Sequence, residues 1–328
     1  MKFDFLAVGD VVTEPFIRLL EAKVTCDEHE SCTISMHWGD KIPYESAEVM
    51  RAVGNASNAA VAAARIGLTS ALVADIGDDE VGKGNLEQLT GERVDTSFIT
   101  THAGMKSNYH YVLWFESERT ILVRHEEYPY RFPEVGTPAW LYLSSLSANS
   151  EAYHDEIAAY LAAHPETRFA FQPGTFQMKL GSERLKSLYE RADLFFCNKE
   201  EAMRILGSSS TDVKELMKGL KTLGPKSVVL TDNRNGAYAL HEEEMLFIPM
   251  YPDTRAPFER TGAGDAFAST VTAALSLGKT FKEALLWGPI NSMAVVQKVG
   301  AQQGLLTRDE IERFLADAPS EYQVSSLR

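Results

Sequence analysis

Short apolar runs of strand length alternate along this chain with longer segments of helical periodicity. The apolar runs lie at residues 3–8, 70–76, 140–146, 169–172, 194–197 and 228–231. The helical segments between them include residues 56–66, 152–163, 199–206 and 213–223. Parallel strands need crossover connections of this kind, and the helices then cover both faces of the sheet. The pattern therefore predicts an α/β fold, with a mostly parallel sheet sandwiched by helices.

Two stretches depart from this alternation. Residues 18–38 and 108–125 carry strand-like alternation of apolar and polar residues and contain no helical segment. Such alternation is typical of strands with one covered face, so we predict a small projecting β-sheet that acts as a lid. The expected division is a main domain of residues 1–17, 46–104 and 127–317, a lid of residues 18–45 and 105–126, and a polar, frayed tail of residues 318–328.

Composition narrows the classes of protein that this fold could represent. The chain has 328 residues, 45% hydrophobic and 24% charged, which is typical of a globular protein with a large core. Its formal net charge of -14 argues against a nucleic-acid surface, because phosphate backbones attract Lys and Arg. The first residues lack a signal-peptide pattern, and no stretch approaches the ~18 apolar residues of a membrane span. We expect a cytoplasmic protein that binds neither nucleic acid nor membrane.

The three cysteines, Cys26, Cys32 and Cys197, cannot all pair within one chain. A disulfide framework is therefore not expected, and a reducing compartment fits the sequence. Cys26, Cys32, His29 and His37 lie close together, but their spacing matches no standard zinc site.

The strongest local signal is the segment 260–269, which reads RTGAGDAFAS. Two glycines and small residues here open a helix, whose first turn presents unpaired backbone N–H groups that can bind an anion. Asp265 lies within that turn. A carboxylate at this position can simply favour the helix dipole, or it can accept a proton from an attacking hydroxyl beside the anion site.

This segment closely resembles the C-terminal signature of the ribokinase-like (PfkB) carbohydrate kinase family. The resemblance implies that Asp265 is the catalytic base and that Gly262, Ala263 and Gly264 form the anion hole. A second segment, GNASNAAVAAARIG at residues 54–67, resembles the family's N-terminal signature, although Val53 replaces its usual first glycine. There the resemblance implies that Gly54, Asn55 and Asn58 bind the substrate; the alternative is that the two asparagines only cap the helix.

Further matches follow in family order. Asn198 and Glu201 resemble the N-x-x-E motif, which implies that they organise Mg²⁺ through its waters; an ordinary exposed helix turn is the alternative. The same resemblance implies a nucleotide site that combines Gly262 and Gly264 of the first signature with Asn198, Thr231, Asp232, Gly236 and Asn291, the last of these near adenine.

Three departures from the family pattern bear on the substrate. Glu14 stands where the family often has an aspartate that grips hydroxyls, so we expect Asp10 and Glu14 to help position the acceptor. Gln172 replaces an acidic residue or asparagine. Glu259 and Arg260 replace an Asp-Thr pair, which leaves a requirement for a monovalent cation such as K⁺ open.

The sequence thus predicts a kinase that moves the γ-phosphoryl group of ATP, with Mg²⁺, to a hydroxyl of a sugar, sugar derivative or nucleoside. A non-catalytic or regulatory binding protein of the same fold is the alternative, and a kinase for a vitamin-like hydroxymethyl group is a third. Aromatic residues in the lid predict a homodimer through it; they include Trp38, Tyr109, Tyr111 and Trp114.

Overall fold

The structure is a computed structural model that describes residues 2–27, 32–116, 118–258 and 260–327. His29 and Glu259, named above, lie outside the described residues. The strands, in chain order, are β1 (Phe5–Val8), β2 (Val12–Leu19), β3 (Lys23–Cys26), β4 (Cys32–Ser35), β5 (Tyr44–Val53), β6 (Ser70–Gly77), β7 (Ile99–His102), β8 (Tyr111–Phe115), β9 (Glu118–Leu122), β10 (Trp140–Leu143), β11 (Arg168–Phe171), β12 (Leu194–Asn198), β13 (Ser227–Thr231), β14 (Ala237–His241), β15 (Glu244–Ile248) and β16 (Ser325–Ser326).

One large sheet organises the main domain. Its strand order is β16-β15-β14-β13-β12-β11-β10-β1-β6-β7. All neighbours from β7 to β13 are parallel, whereas β13 to β16 pair antiparallel at one edge. The six apolar runs predicted as strands all lie in the parallel part, so the predicted α/β fold is confirmed.

Helices cover both faces of this sheet. They are α1 (Asn55–Arg65), α2 (Glu80–Gly91), α3 (Glu151–Ala163), α4 (Thr175–Leu180), α5 (Lys186–Arg191), α6 (Lys199–Leu206), α7 (Val213–Thr222), α8 (Ala263–Ser276), α9 (Phe281–Val295) and α10 (Arg308–Ala316). Side chains alternate across a strand, so Phe5 and Ala7 of β1 pack in one apolar core with α1, α8 and α9, while Leu6 and Val8 pack in the other with α3, α6 and α7. Within the described ranges, no helix combines the length and apolar character needed to cross a bilayer.

A second, four-stranded sheet of order β5-β2-β8-β9 projects from the main domain. It is the separate lid sheet that the alternation predicted. Its strands begin earlier and end later than residues 18–45, because β2 starts at Val12 and β5 extends to Val53. The base of β2 is buried on both faces, down to Phe16. A continuous buried run of that kind is indistinguishable in sequence from a strand of the main sheet.

No disulfide framework was expected, and the structure contains one bridge between two of the three cysteines. Strands β3 and β4 pair as an antiparallel hairpin in which Cys26 lies opposite Cys32, and the two sulfurs are bonded. Cys197 is free and buried in β12. An odd number of cysteines excludes complete pairing, but it does not exclude a single local bridge across a hairpin.

The C-terminal segment is docked and not frayed. Ser325 and Ser326 pair with β15 at the edge of the main sheet. Tyr322 is buried, and its hydroxyl donates to the Leu286 carbonyl of α9. The prediction of a frayed tail rested on its polarity and missed that one aromatic side chain could anchor it.

Candidate active site

A cavity of about 660 Å³ lies at the carboxyl ends of the parallel strands. Its walls come from the ends of β12 and β13, from the first turns of α1, α6 and α8, and from β9 of the projecting sheet. Crevices at this edge of an open α/β sheet are the usual place for ligands. Among the predicted site residues, the cavity lining includes Glu14, Gly54, Asn55, Asn58, Asn198, Glu201, Thr231, Gly236, Gly262, Ala263, Gly264 and Asp265.

Asp265 lies in the cavity wall with only 8% of its surface exposed. Three side-chain amides donate to its carboxylate: Asn55 at 2.9 Å, Asn58 at 2.9 Å and Gln172 at 3.1 Å. Burial raises the pKa of Asp265 above its usual range, because burial disfavours the charged form. The three amides act in the opposite direction, since they bond to the carboxylate. The result is a carboxylate in a fixed orientation that binds a proton more readily than an exposed aspartate does.

The backbone around Asp265 explains why small residues occur in this segment. Gly262 caps α8 with φ of 79°, in the left-handed region that favours glycine. A Cβ at Gly262 would also lie 2.4 Å from Cβ of Ala301, so a larger residue has no room. The N–H groups of the first helical turn have no acceptor within the helix. A phosphate beside Asp265 could therefore be held by backbone amides.

Asn55 and Asn58 lie on the first turn of α1, which packs against α8. Neither side chain caps α1, whose N-cap is Gly54. Both are instead engaged with protein groups: Asn55 Oδ1 accepts from Ser145, and Asn58 Oδ1 accepts from Gln302. Their amide nitrogens donate to Asp265 and do not point into the open cavity. The two asparagines thus hold the Asp265 carboxylate from the α1 side.

Asp10 and Glu14 do not lie side by side at the cavity. Glu14 lines it, and one of its carboxylate oxygens lies 3.0 Å from Nδ1 of His110. Asp10 is buried behind the wall, accepts from the Tyr130 hydroxyl at 2.8 Å and lies 3.1 Å from Nδ1 of His125. Sequence reasoning missed both histidines, because nothing in their local pattern marks a site.

Asn198 and Glu201 form a reciprocal capping box at the start of α6. The Glu201 backbone N–H donates to Asn198 Oδ1 at 2.8 Å, and the Asn198 N–H donates to Glu201 Oε2 at 2.9 Å. Burial raises the pKa of Glu201, and the nearby charge of Asp265 raises it further. Within the described ranges, no group of three or more His, Cys, Asp or Glu side chains is placed to hold a metal ion. A metal here would need ligands from phosphate and water as well.

Two predicted nucleotide residues do not reach the cavity. Asp232 is buried and bonds to Asn235, with Lys199 3.5 Å away. Asn291 is fully buried between α9 and its neighbours; its amide donates to Thr270 Oγ1, and its oxygen accepts from the Leu306 N–H.

The expectation that Asn291 approaches adenine therefore does not fit its position. Helical periodicity gives the reason. Pro289, Ser292, Met293 and Val296 face the cavity at intervals of three and four residues, and Asn291 lies on the other side of α9.

Comparison with known proteins agrees with this architecture. The solved structure of Arabidopsis thaliana ribokinase complexed with ribose and ATP superposes with a TM-score of 0.77 at 17% identity, covering 96% of this chain and 99% of that one. Such a superposition defines the fold class, which is that of ribokinase.

The family model described as pfkB family carbohydrate kinase matches residues 30–308. The chain therefore belongs to the pfkB family of carbohydrate kinases. It is 27% identical over 270 residues to the ribokinase of Bacillus subtilis, covering 80% of this chain and 87% of the relative. It is 24% identical over 339 residues to the ATP-dependent 6-phosphofructokinase of Thermoanaerobacterium thermosaccharolyticum, covering 100% of this chain and 96% of that relative.

Proposed function

We propose that this chain transfers the γ-phosphoryl group of ATP to a hydroxyl of a sugar, sugar derivative or nucleoside. The observation that carries the proposal is the Asp265 carboxylate, held by three amides in the cavity wall beside the first turn of α8. In this reaction Asp265 accepts the proton of the acceptor hydroxyl as the oxygen attacks phosphorus. The backbone amides of Gly262 to Asp265 stabilise the charge on the transferring group.

The order of strands sets the two ends of the cavity. Glu14 lies in β2, which follows β1 and belongs to the projecting sheet, whereas Thr231 ends β13. In the main sheet β1 and β13 are four strand spacings apart. At about 4.8 Å per spacing, the ends of β1 and β13 lie roughly 19 Å apart, which is room for an acceptor and a nucleotide in line. Asp265 contacts Gln172, which follows β11 between them. We therefore place the acceptor near Glu14 and the nucleotide near Thr231 and Gly236.

The residues around Asn198 and Glu201 fit a Mg²⁺ ion that is bound mainly through water and phosphate. The Glu201 carboxylate lines the cavity near Asp265, and oxygen ligands are those that Mg²⁺ prefers. With Asn198 and Glu201 tied into a capping box, we propose that they hold Mg²⁺ through its waters, while the ATP phosphates supply direct ligands. Bound Mg²⁺ would neutralise phosphate charge. A requirement for a monovalent cation such as K⁺ remains a prediction to be tested by replacing K⁺ with Na⁺ in the assay.

The acceptor class can be divided by charge. Arg119 of β9 lines the cavity. An arginine at this position favours an acceptor that carries phosphate or carboxylate, whereas Glu14 favours neutral hydroxyls. Both stay open in the proposal. Arg119→Met should weaken the binding of an anionic acceptor strongly and the binding of a neutral acceptor little.

The direct test is an ADP-release assay with purified protein over sugars, sugar acids, sugar phosphates and nucleosides. We expect at least one class to give turnover that depends on Mg²⁺ and is lost in Asp265→Asn. Tight ATP binding without turnover of any acceptor would instead support the regulatory alternative. Turnover of hydroxymethyl-bearing vitamin precursors alone would support the third.

We also propose a homodimer formed through the projecting sheet. Large exposed apolar side chains of the described residues cluster there, with Phe258 as the exception; they are Leu20, Val24, Met36, Trp38, Tyr44, Val49, Tyr111, Ile121, Leu122 and Val123. Trp114, one of the aromatic residues behind the original prediction, is instead buried against Phe258. An apolar patch of this kind needs a partner surface. Light scattering at micromolar protein should give twice the chain mass, and a monomer mass would contradict the proposal.

The proposed location is the cytoplasm, where ATP is available. The Cys26–Cys32 bridge is the observation that opposes it, because disulfides are rare in reducing compartments. Lysing cells in denaturant with an alkylating agent and then weighing the chain by mass spectrometry counts the cysteines that were free in the cell. Three alkylated cysteines would agree with a reducing location, and one would contradict it.

A further inference from the structure

A line of four titratable side chains runs from the cavity wall into the base of the projecting sheet. Glu14 Oε1 lies 3.0 Å from His110 Nδ1, and His110 Nε2 lies 3.3 Å from His125 Nε2. His125 Nδ1 in turn lies 3.1 Å from Asp10 Oδ2. Asp10, Glu14 and His110 are all buried. The two imidazoles therefore meet nitrogen to nitrogen, with a carboxylate at each outer end.

The place of this line in the fold connects two parts of the molecule. His110 immediately precedes β8, and His125 follows β9, so the pair joins the two roots of one hairpin. The backbone supports the same junction: the His110 N–H donates to the Thr13 carbonyl, and the Tyr109 N–H donates to the Arg124 carbonyl. Asp10 lies in the loop between β1 and β2, and Glu14 lies in β2. The histidine pair thus ties the hairpin to the segment that presents Glu14 to the cavity.

Counting protons shows what this geometry requires. His110 Nδ1 is hydrogen-bonded to a carboxylate oxygen, whereas His125 Nδ1 and Asp10 Oδ2 lie 3.1 Å apart without hydrogen-bond geometry. An ionised carboxylate repels a bare nitrogen lone pair in either place, so each Nδ1 carries a proton. The contact between the two Nε2 atoms then needs one proton between them. With none, two lone pairs oppose each other; with two, two N–H groups collide. A single shared proton satisfies both rings and leaves the four groups with one net negative charge.

The surroundings contain no second basic group in hydrogen-bond contact with either ring, within the described residues. The other titratable and charged groups nearby contact the histidine pair only through an intervening residue. They are Tyr130, which donates to Asp10; Asp75 with His102, which stacks on Tyr128; Glu126 with Arg124; and Lys179, which lies over Phe176, the ring that packs against His125.

We propose that His110 and His125 share one proton and are positioning residues for the acceptor, fixing the Glu14 carboxylate at the cavity wall. This inference rests on the proposed function for its kinetic consequence only. The Nδ1 proton of His110 holds one oxygen of Glu14, which leaves the second oxygen to accept from an acceptor hydroxyl.

The kinetic test compares His110→Gln and His125→Gln with the wild type and with a control, His164→Gln. His164 is a half-buried histidine at the end of α3. Its Nδ1 bonds to the Tyr160 carbonyl, and its ring stacks on Tyr160. We expect each site variant to raise the acceptor KM about tenfold, the size expected for losing a hydrogen bond to a charged group, with a much smaller change in kcat. The acceptor KM should stay at its wild-type value in the control.

A fall in kcat at unchanged KM, or no effect in either variant, would overturn the proposal. A second measurement needs no acceptor and therefore separates failure of this inference from failure of the proposed function. In wild-type protein labelled with ¹⁵N-histidine, both Nδ1 atoms should carry protons. Both Nε2 signals should lie between the positions of a protonated and an unprotonated nitrogen. His110→Gln should shift the His125 signals, and His164→Gln should not. Rings protonated at Nε2 but not at Nδ1 would refute the shared proton.

Discussion

The wall around Asp265 and the projecting sheet are built on opposite principles. Around Asp265, two helix starts meet, and the side-chain amides of Asn55, Asn58 and Gln172 all donate to one carboxylate. On the projecting sheet, Leu122 is more than half exposed, as is Val123 directly after it, and Trp38, in the segment between β4 and β5, is fully exposed. The first region is complete within one chain, whereas the second presents apolar surface without cover.

This difference suggests that the wall around Asp265 serves catalysis and that the projecting sheet serves assembly. A carboxylate clamped by buried amides loses function when any partner is removed, because the site has no spare contacts. An exposed apolar sheet can change without disturbing the fold of its own chain. Substitutions in the two regions should therefore act on different measurements: catalysis and pH dependence in one, mass in solution in the other.

The largest effect is expected from Asp265→Asn. The change keeps size and polarity and removes the proton acceptor, so kcat should fall about 10²- to 10⁴-fold. ATP affinity and melting temperature should stay close to wild type, because the backbone amides of α8 and Glu201 remain. The matched control is Asp212→Asn, which alters the N-cap of α7 and does not line the cavity. A folded Asp265→Asn with more than about a tenth of wild-type kcat would defeat the catalytic-base assignment.

Asn58→Ala should be the next most damaging change. It removes a buried amide that bridges Asp265 and Gln302, so both lose a partner. Chemical denaturation should show a loss of about 1–3 kcal/mol in the free energy of unfolding, accompanied by lower kcat. Asn149→Ala, at an exposed asparagine with hydrogen bonds of its own, should cost less. Equal losses in the two variants would show that burial around Asp265 is not decisive.

Gln172→Leu should shift the pH dependence of kcat. The Gln172 amide lowers the pKa of Asp265, so its loss raises that pKa. A base acts when deprotonated, and its activity is lost as pH falls through its pKa; the acid limb should therefore move to higher pH. Tyr142→Phe removes only the hydroxyl that donates to Gln172 and should shift the limb less. An acid limb that stays in place in Gln172→Leu would contradict the amide clamp.

The smallest effect on stability is expected in the projecting sheet. Trp38→Ser combined with Leu122→Ser removes two exposed apolar side chains and should convert the proposed dimer to a monomer in sedimentation or light scattering. The stability of the protomer should change by no more than about 0.5 kcal/mol. Thr33→Ala, a polar position on the β3–β4 hairpin, should leave the mass unchanged. A dimer that persists in the double variant would show that another surface forms it.

The fold was largely predictable because alternation and periodicity are local signals. The helix start that contains Gly262, Gly264 and Asp265 was also predictable, because its pattern lies in consecutive residues. Asn291 was misplaced because its role depends on which side of α9 faces the cavity, which only packing decides. The extent of the projecting sheet was misjudged because β2 is buried at its base and reads as a core strand.

The histidine pair could not be found from sequence for a different reason. His110 and His125 are fifteen residues apart along the chain and meet only because β8 and β9 pair as a hairpin. Their partners, Asp10 and Glu14, lie about a hundred residues away. Likewise, Gln172 was noticed as a departure from the family pattern, but its bond to Asp265 required the three-dimensional arrangement.

The central claim is that the Asp265 carboxylate, held by the amide clamp, is the base of phosphoryl transfer. The most direct measurement is kcat against pH at saturating substrates for the wild type and for Asp265→Asn. Burial raises the pKa of Asp265, so wild-type kcat should decline as pH falls, with a midpoint above the usual range for an aspartate. The residual activity of Asp265→Asn should lack this acid limb. The same limb in both proteins would contradict the account, because the group that titrates would then lie elsewhere.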